Sequence, residues 1–566
     1  MKARTSGFGA PALAALLLFS GLGLALLDLL PSLPHLETSV GYDAQHLLLL
    51  YSTLPRMATA LITGAALALS GTILQQVLRN PLASPTTLGV SAGANLALVS
   101  VMLAFPSLTG WGRDAVALAG SAAAAFAIFS ISARHGFSPF SLILSGMITG
   151  LWCGAAAAIL VLMNDQYLSG IFIWGAGSLS QQSWAIPLSL LPKVALLAGL
   201  ALLAARPLAL SQLGDAGAAS LGLPIKWARG FIIAIAIALS ALVTSAVGVI
   251  GFIGLVAPQI VRLAGARRVV SQLIWSPIAG AGLLLLTDEA IKLLAPGDFV
   301  PTGAVTALLG GPILIALLPR LATASRTLPG MTSPRLAIGS KGSSLVLLFA
   351  SVVALAIAAI FFGRASDGAW TWLPAASWNE ILPLRLPRVG AAFGAMLDAG
   401  IGVLAASGDP RGLALVRWMS GSTYFVDNRV AASAMLIALA CLIAAFLASR
   451  WLALLQLGPE TASELGLRIA SARGVLFGLS AIMTAAATLV VGPLSFVGLM
   501  APQLAHGLGL RRPSTQLLAA AVIGATLLVI ADWAGRMIAF PYQVPAGLIS
   551  ALVGAPMLLF VLRRRP

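Results

Sequence analysis

The stretch LGDAGAASLGLPIKWARG at residues 213–230 occurs a second time, as LGPETASELGLRIASARG at residues 457–474. Ten of the eighteen positions are identical, and the second copy follows the first at an offset of 244 residues. Each copy is polar and stands between long apolar runs. The chain is therefore predicted to consist of two repeats, each of which exposes one short polar segment to water.

Both copies are predicted to form a helix of about two turns. In the first copy, Asp215 can accept hydrogen bonds from the free N–H groups, and Gly222 can adopt the left-handed conformation that ends a helix. In the second copy, Pro459 fits the first turn, Glu460 favours the positive end of the helix dipole, and Gly466 ends the helix. Such a capped, water-facing helix suits contact with a cytoplasmic partner, and an ordinary loop helix is the alternative.

The composition is that of a polytopic membrane protein. The chain has 566 residues, of which 59% are hydrophobic and 9% charged, and its mean hydropathy is +0.99. The chain has 33 Lys and Arg residues, and most of them lie between the apolar spans, a pattern that fixes orientation in a membrane and argues against a nucleic-acid partner. Cys153 and Cys441 lie far apart in apolar runs, so they are predicted to be packing residues. Neither a metal site nor a cofactor is predicted.

The first repeat is predicted to comprise residues 1–320, with about ten transmembrane helices. LPSLPHLE follows the first span where a secreted protein would have a small-residue cleavage site, so the span is predicted to be retained, with the N-terminus in the cytoplasm. Arg and Lys concentrate in the loops assigned to the inside. The predicted spans lie near residues 10–30, 54–78, 85–105, 115–133, 140–163, 187–206, 229–248, 249–264, 272–295 and 302–320.

A cytoplasmic linker at residues 321–342, rich in Pro, Ser and Gly, is predicted to join the first repeat to a second at residues 343–566. Two further motifs return at the same offset. GVIGFIGLVAPQ returns as GPLSFVGLMAPQ, and PTGAVTALLGGP returns as PAGLISALVGAP. Because ten spans is an even number, the two repeats are predicted to lie parallel in the membrane.

The second repeat is shortened. LPR at residues 54–56 matches LPR at 386–388 at an offset of 332, so 88 residues have no counterpart before the offset of 244 begins. The remnant at 388–409 would invert all that follows if it crossed the membrane. It is therefore predicted to be re-entrant or buried, which leaves about six crossings in this repeat and sixteen in all. An internally deleted chain that assembles poorly is the alternative.

The intramembrane charges recur in equivalent helices. Asp288 with Lys292, and Asp532 with Arg536, are predicted to form ion pairs because the partners stand four residues apart on a helix. A proton or ion relay is the alternative. No catalytic motif and no G-x-x-x-x-G-K-[ST] nucleotide-binding loop occurs, so the chain is not predicted to be an enzyme or to hydrolyse ATP.

The segment QQVLRNPLASPTTLGVSAGANLA at residues 75–97 is the most distinctive in the chain. Together with GAALALSGTIL before it, GFIGLVAPQIVRL at 251–263 and the repeated P-x-G-x-x-x-A-L-x-G-x-P motif, it resembles the FecCD family of binding-protein-dependent permeases. That family includes vitamin B12 and ferric siderophore importers. The two fused copies, with GDPRG at 408–412 and RWMSGSTY at 417–424, are most similar to its ferric hydroxamate members.

The resemblance implies two kinds of protein partner. A cytoplasmic ABC ATPase dimer would hold the helices at 214–222 and 458–466, and a periplasmic siderophore-binding protein would dock on the outside through Arg56 and Arg388. The residues expected to couple to the ATPase are Gly214, Asp215, Ser220, Gly222, Gly458, Glu460, Glu464 and Gly466.

The resemblance also implies a central pathway between the two repeats. The residues expected to line or gate it are Gln75, Gln76, Asn80, Pro81, Ser91, Gly93, Asn95, Pro258, Gln259, Pro502 and Gln503. The prolines and glutamines near the ends of two short spans also suit simple helix packing. Gln259 and Gln503 replace the His that is usual in the family, and the second repeat lacks its own copy of residues 64–94.

The expected fold is therefore an all-α polytopic bundle of two tandem parallel repeats, similar to a type II ABC importer permease. The expected function is import of iron(III)-hydroxamate siderophores across a bacterial inner membrane, with both termini cytoplasmic. The alternatives are a family permease for cobalamin, heme or a catecholate siderophore, an ion-coupled secondary transporter, and a truncated non-transporting scaffold.

Overall fold

The computed structural model describes residues 9–29, 44–310 and 418–563. Within these ranges it leaves gaps at 82, 87, 106–111, 134–138, 165–176, 213–219, 221–224, 295–300, 309, 424–425, 458, 495, 511 and 539–542. The described residues are mainly α-helical, and no strand occurs among them. The expected all-α fold is confirmed for this part of the chain.

The first repeat contains eleven named helices in its described part. They are α1 (Gly9–Leu29), α2 (Ala44–Leu48), which continues through a π-helical turn (Leu49–Thr53) into α3 (Leu54–Val77), α4 (Val90–Ala104), α5 (Arg113–Ala133), α6 (Pro139–Met163), α7 (Ala185–Leu203), α8 (Ala205–Ser211), α9 (Ile225–Val247), α10 (Ile253–Leu263) and α11 (Val269–Leu294). Residues 302–308 form the start of a further helix.

The described part of the second repeat begins at residue 418 and contains seven named helices. They are α12 (Asn428–Leu447), α13 (Ser449–Gln456), α14 (Pro459–Glu464), α15 (Ile469–Val491), α16 (Val497–Gly507), α17 (Pro513–Met537) and α18 (Ala546–Arg563). The linker at 321–342, the predicted span that follows it and the remnant at 388–409 lie outside the described residues.

Ten helices in the described ranges are long and apolar enough to cross a membrane. Two predicted spans are shorter than expected. The span near 85–105 begins only at Val90, because the turn-rich segment before it is not helical. The span near 249–264 is the eleven-residue helix α10, because an irregular turn around Gly251 separates it from α9. Both are too short to span a bilayer of about 30 Å as straight helices.

Helix α3 is the centre of the first repeat and packs against α7, α9, α10 and α11. Its small residues permit a close approach of backbones. A Cβ atom on Gly64 would lie 2.5 Å from the carbonyl oxygen of Gly280 in α11. A Cβ atom on Gly71 would overlap the backbone of Gly254 in α10. These contacts fix α3 against two neighbours along its whole length.

The two repeats share the same backbone conformation at equivalent positions. Phe252 and its counterpart Phe496 both adopt a left-handed conformation, with φ of 66° and 68°. Gly303 donates a backbone hydrogen bond of 2.9 Å to Gly177, and the equivalent bond from Gly547 to Gly421 measures 2.8 Å. The predicted tandem repeat is therefore confirmed in the backbone as well as in the sequence.

The repeats differ in how far their equivalent helices are buried. In α9, 72% of the apolar window is buried because α3, α4, α5 and α7 pack around it. In α15, its counterpart, none of that window is buried among the described residues. The shortened second repeat has no described counterpart of α3 to α6, so nothing in the described chain covers α15 from that side.

The repeats meet where α6 packs against α16 and α18. Ile148 and Ala155 of α6 form one buried cluster with Phe496, which precedes α16, with Met500 of α16 and with residues of α18. The indole Nε1 of Trp152 donates a hydrogen bond of 3.1 Å to the carbonyl oxygen of Leu552. This contact joins the first repeat directly to the last helix of the second.

The close packing of α3 predicts different outcomes for one substitution made at two equivalent positions. A Cβ on Gly254 would lie 2.8 Å from the Leu67 carbonyl oxygen, whereas a Cβ on Gly498 meets nothing within 4 Å among the described atoms. We expect Gly254→Ala to destabilise the protein by about 1–3 kcal/mol through overpacking. Gly498→Ala should be neutral or stabilise by about 0.5 kcal/mol, because Ala favours a helix more than Gly.

Thermal unfolding in detergent, followed by tryptophan fluorescence, measures both variants against the parent protein. Equal melting temperatures for the two alanine variants would contradict the proposed role of this contact.

Candidate functional site

Five charged side chains meet where the C-terminal ends of α1 and α11 lie beside the start of α3. With Thr302 they form the group called here the Arg56 cluster, and they are Asp28, Arg56, Asp288, Glu289 and Lys292. The guanidinium of Arg56 binds Asp288 through two hydrogen bonds, Nε to Oδ2 at 2.7 Å and Nη2 to Oδ1 at 2.8 Å. The hydroxyl of Thr302 donates a third bond of 2.7 Å to Oδ1. The Asp288 side chain is fully buried, so these donors replace the water it has lost.

The predicted ion pair between Asp288 and Lys292 is wrong. Lys292 Nζ instead donates to Glu289 Oε1 at 2.9 Å and lies 3.3 Å from Asp28 Oδ2. The planar guanidinium of Arg56 presents two N–H donors in a fixed geometry that matches the two oxygens of Asp288. Glu289, which the sequence analysis passed over, provides the acid for Lys292 from within the same helix.

The second repeat contains the predicted pair of Asp532 and Arg536. Nε of Arg536 lies 2.9 Å from Oδ2 of Asp532, and Thr423 donates a short hydrogen bond to the same carboxylate. Trp533 stands at the position equivalent to Glu289, so the helix offers Arg536 no second acid. The pair is more exposed than its counterpart, with 49% of the Arg536 side chain accessible.

The structure places the predicted docking residue Arg56 inside the Arg56 cluster. Its side chain is 22% exposed, and its guanidinium is engaged by Asp288. Arg388, the matching residue of the second repeat, lies outside the described residues. Contact of either residue with a binding protein stays a prediction.

A second polar group, called here the glutamine cluster, lies at the other end of α3. It consists of Gln75, Gln76, Pro81, Gln259 and Gln272. The side-chain amide of Gln259 donates to Gln75 Oε1 at 2.5 Å and to the carbonyl oxygen of Pro81 at 3.0 Å. Gln75 in turn donates to the carbonyl oxygens of Gly254 and Leu255, each at 3.2 Å. Three separately predicted residues therefore meet at one buried junction of α3 and α10.

Gln76 extends the cluster to α11. Its amide donates a hydrogen bond of 2.9 Å to Gln272 Oε1. Gln272 in turn donates a hydrogen bond of 2.7 Å to the carbonyl oxygen of Ala266, in the turn before α11. Sequence reasoning missed Gln272, although its counterpart Gln516 also donates to the chain before it, at the carbonyl oxygen of Pro502. The presence of glutamine at both equivalent positions, Gln272 and Gln516, was the sequence signal that could have identified this residue.

Arg79 connects this end of α3 to α8. It follows α3 in a left-handed conformation with φ of 49°, and its Nη2 donates a hydrogen bond of 2.6 Å to the carbonyl oxygen of Ser211. Asn80 closes the turn beside it, since its backbone N–H donates to Gln75 and its carbonyl accepts from Ala83. The sequence analysis named Asn80 but not its neighbour Arg79.

Other predicted pathway residues lie apart from the glutamine cluster. Ser91 faces Ser240 at 3.4 Å and lines a small polar cleft with Thr86 and Thr244. Gly93 packs against Gly120 of α5, where a Cβ would lie 2.7 Å from a carbonyl oxygen. Gly93 therefore serves helix packing in this structure.

Four predicted residues remain to be placed. Asn95 is half-buried, and its buried Oδ1 has no partner among the described atoms. Pro258 is buried within α10 beside Gln259. Pro502 and Gln503 occupy the equivalent turn of α16 and are only half-buried.

The polar repeat segment is described mainly in the second copy. Helix α14 ends at Glu464 and closes at Gly466, which has φ of 82° as the sequence predicted. The N–H of Gly466 donates to Ser463 and that of Leu467 to Ala462, which satisfies the carbonyls at the helix end. In the first copy, Ser220 is helical and exposed, while Gly214, Asp215 and Gly222 lie outside the described residues, as does Gly458 of the second.

Comparison with known proteins gives two matches to one family within this chain. The profile of the FecCD transport family matches residues 13–320 and again residues 331–564. The second match spans 234 residues and the first 308.

Two curated relatives match most of this chain and most of their own length. The chain is 36% identical to the iron(3+)-hydroxamate import system permease protein FhuB of Salmonella typhimurium, over 91% of this chain and 88% of that protein. It is 36% identical to the protein of the same name in Escherichia coli, over 91% of each chain. The hemin transport system permease protein HmuU of Yersinia pestis is 36% identical but matches only 49% of this chain and 85% of its own length.

The Arg56 cluster predicts unequal effects for two equivalent substitutions. Asp288→Asn leaves the guanidinium of Arg56 without a charged partner in a largely buried site, and we expect a loss of about 3 kcal/mol or more. Asp532→Asn should cost about 1 kcal/mol or less, because that pair is partly exposed. Size-exclusion profiles and melting temperatures of the two purified variants test this difference.

If both Asn variants fold as well as the parent protein but fail to transport, the ion pairs are not structural. That outcome would favour the ion-coupled secondary transporter instead.

Proposed function

The chain belongs to the FecCD transport family, and from this premise we propose that it is the membrane-spanning permease of an ABC importer for iron(III)-hydroxamate siderophores. The observation that carries the proposal is the length of the match to the two FhuB proteins. Their similarity extends over 91% of the chain and through both repeats, whereas single-copy permeases match only half of it. For this reason we assign to this chain the substrate class of the two FhuB proteins.

Energy for transport comes from a separate cytoplasmic ATPase in this proposal. The sequence has no nucleotide-binding loop of its own. The exposed helix α14 and its counterpart at 214–222 would each contact one ATPase subunit, and their movement would switch access to the pathway by rigid-body rotation of packed helices. A periplasmic binding protein would deliver the substrate on the opposite side.

The glutamine cluster supports a role for the end of α3 as part of the gate. Gln75 and Gln259 hold α3, α10 and the Pro81 turn together through buried hydrogen bonds. In a buried site, breaking such bonds costs free energy unless new partners form. When the pathway changes access, α3, α10 and the Pro81 turn would therefore move together. Otherwise, their glutamine side chains would have to exchange hydrogen-bond partners in one step.

The chain is a multi-pass inner-membrane protein with both termini in the cytoplasm in this proposal. Residues 343–566 would cross the membrane about six times, with 388–409 re-entrant or buried. This arrangement places α14 on the same side as its counterpart in the first repeat, as contact with two subunits of one ATPase requires.

A truncated scaffold that binds the ATPase without transporting is the second candidate. It is favoured by one observation, the exposure of α15 where the counterpart α9 is enclosed. A pathway that needs α3 to α6 on both sides would be incomplete in such a chain.

Reconstitution in proteoliposomes separates the two functions. We expect the complex with its ATPase to hydrolyse ATP faster when the loaded binding protein is added, and to take up radiolabelled iron(III) trihydroxamate. Heme and cobalamin serve as competing substrates. Hydrolysis that the binding protein does not stimulate, together with no uptake, would support the scaffold instead.

The topology is tested by labelling single cysteines in intact and in permeabilised cells. Cys153 and Cys441 are first replaced by Ala, which removes the native thiols. Cysteine at Ser220 or Ser463, both of which are exposed, should react with an impermeant maleimide only after permeabilisation. Cysteine at Asp427, which precedes α12 on the predicted outer side, should react in intact cells. Labelling of position 220 or 463 from the periplasm would overturn the proposed coupling role of both segments.

A further inference from the structure

Arg79 stands out because its backbone is strained and its side chain reaches a separate helix. Its φ of 49° lies in the left-handed region, which a residue with a long side chain seldom adopts. Such conformations persist where the surrounding structure holds them, and they are common at functional switches. The side chain binds the protein, since Nη2 donates a hydrogen bond of 2.6 Å to the carbonyl oxygen of Ser211.

Ser211 is the last residue of α8 and lies two positions before the repeated segment at 213–230. On the other side, the α3 end that leads into Arg79 is tied to α10 through Gln75 and to α11 through Gln76. The Arg79 hydrogen bond thus connects the end of α8 to the glutamine cluster. A charged donor strengthens this bond relative to one between neutral groups.

We propose that Arg79 is a positioning residue that transmits movement of α8 to the glutamine cluster. The inference rests on the proposed function, because it takes the segment that follows α8 in the sequence to be the contact with the ATPase. When α8 moves, its bond to the guanidinium of Arg79 carries the turn after α3 along. Arg79 itself touches neither nucleotide nor substrate in this role.

The second repeat does not duplicate the connection. The shortened repeat has no counterpart of residues 64–94 in its sequence, and Arg79 lies within that range. Loss of the Arg79 bond is therefore not compensated from the other half of the chain. A single substitution should be enough to separate hydrolysis from transport.

The test compares two variants that lose the bond, Arg79→Gly and Arg79→Asn, with Arg79→Lys in the complete complex of permease, ATPase and binding protein. Glycine and asparagine both accept the left-handed backbone but cannot reach Ser211, whereas lysine keeps a charged donor. The measured quantity is the number of ATP molecules hydrolysed for each radiolabelled iron(III) trihydroxamate taken up. This ratio should rise about tenfold or more in Arg79→Gly and in Arg79→Asn, as expected from loss of a charge-assisted hydrogen bond, and should stay near the parent value in Arg79→Lys.

A purely structural role predicts another result, because a less stable complex loses hydrolysis and uptake in the same proportion and the ratio is unchanged. An unchanged ratio in both Arg79→Gly and Arg79→Asn, with the parent complex active, would overturn this inference alone. If the parent complex neither responds to the binding protein nor transports, the proposed function fails and the inference fails with it.

Discussion

The close approach of α3 to α10 and α11 is the constraint on which the first repeat depends. Gly64 against Gly280, and Gly71 against Gly254, bring backbones so near that no side chain fits between them. Helices in a bilayer gain little from the hydrophobic effect, since lipid is as apolar as their own side chains. Van der Waals contact along such glycine seams, together with buried hydrogen bonds, has to supply the attraction instead.

Polar clusters fix the two ends of the same helix. At its start, Arg56 forms a bidentate pair with the buried Asp288. At its end, Gln75 and Gln259 join it to α10. A rigid helix fastened at both ends moves with its neighbours as one body, which suits a protein that changes access without unfolding. The second repeat shows the contrast, because it has no described counterpart of α3, and none of the apolar window of α15 is buried among the described residues.

Local rules succeeded where the interaction was local and failed where it was not. The closing role of Gly466 followed from its place after a short polar helix, and the structure confirms it. The pairing of Asp288 with Lys292 followed the same kind of reasoning and was wrong. Arg56, 232 residues away, offers two donors to that carboxylate, and Glu289 satisfies the lysine. Spacing along one helix cannot reveal a better partner on another.

The sequence by itself determined the helical fold, the tandem repeat and the end of the second polar helix at Gly466, because hydrophobic runs, glycines and helix caps act over a few residues. It also named Gln75, Pro81 and Gln259, but only as separate candidates. Tertiary structure alone decided that these three meet, that Gln272 joins them, and that Arg79 reaches Ser211. Buried polar groups take whichever partners the packing of distant helices brings within hydrogen-bond distance, and that choice is made across the whole bundle.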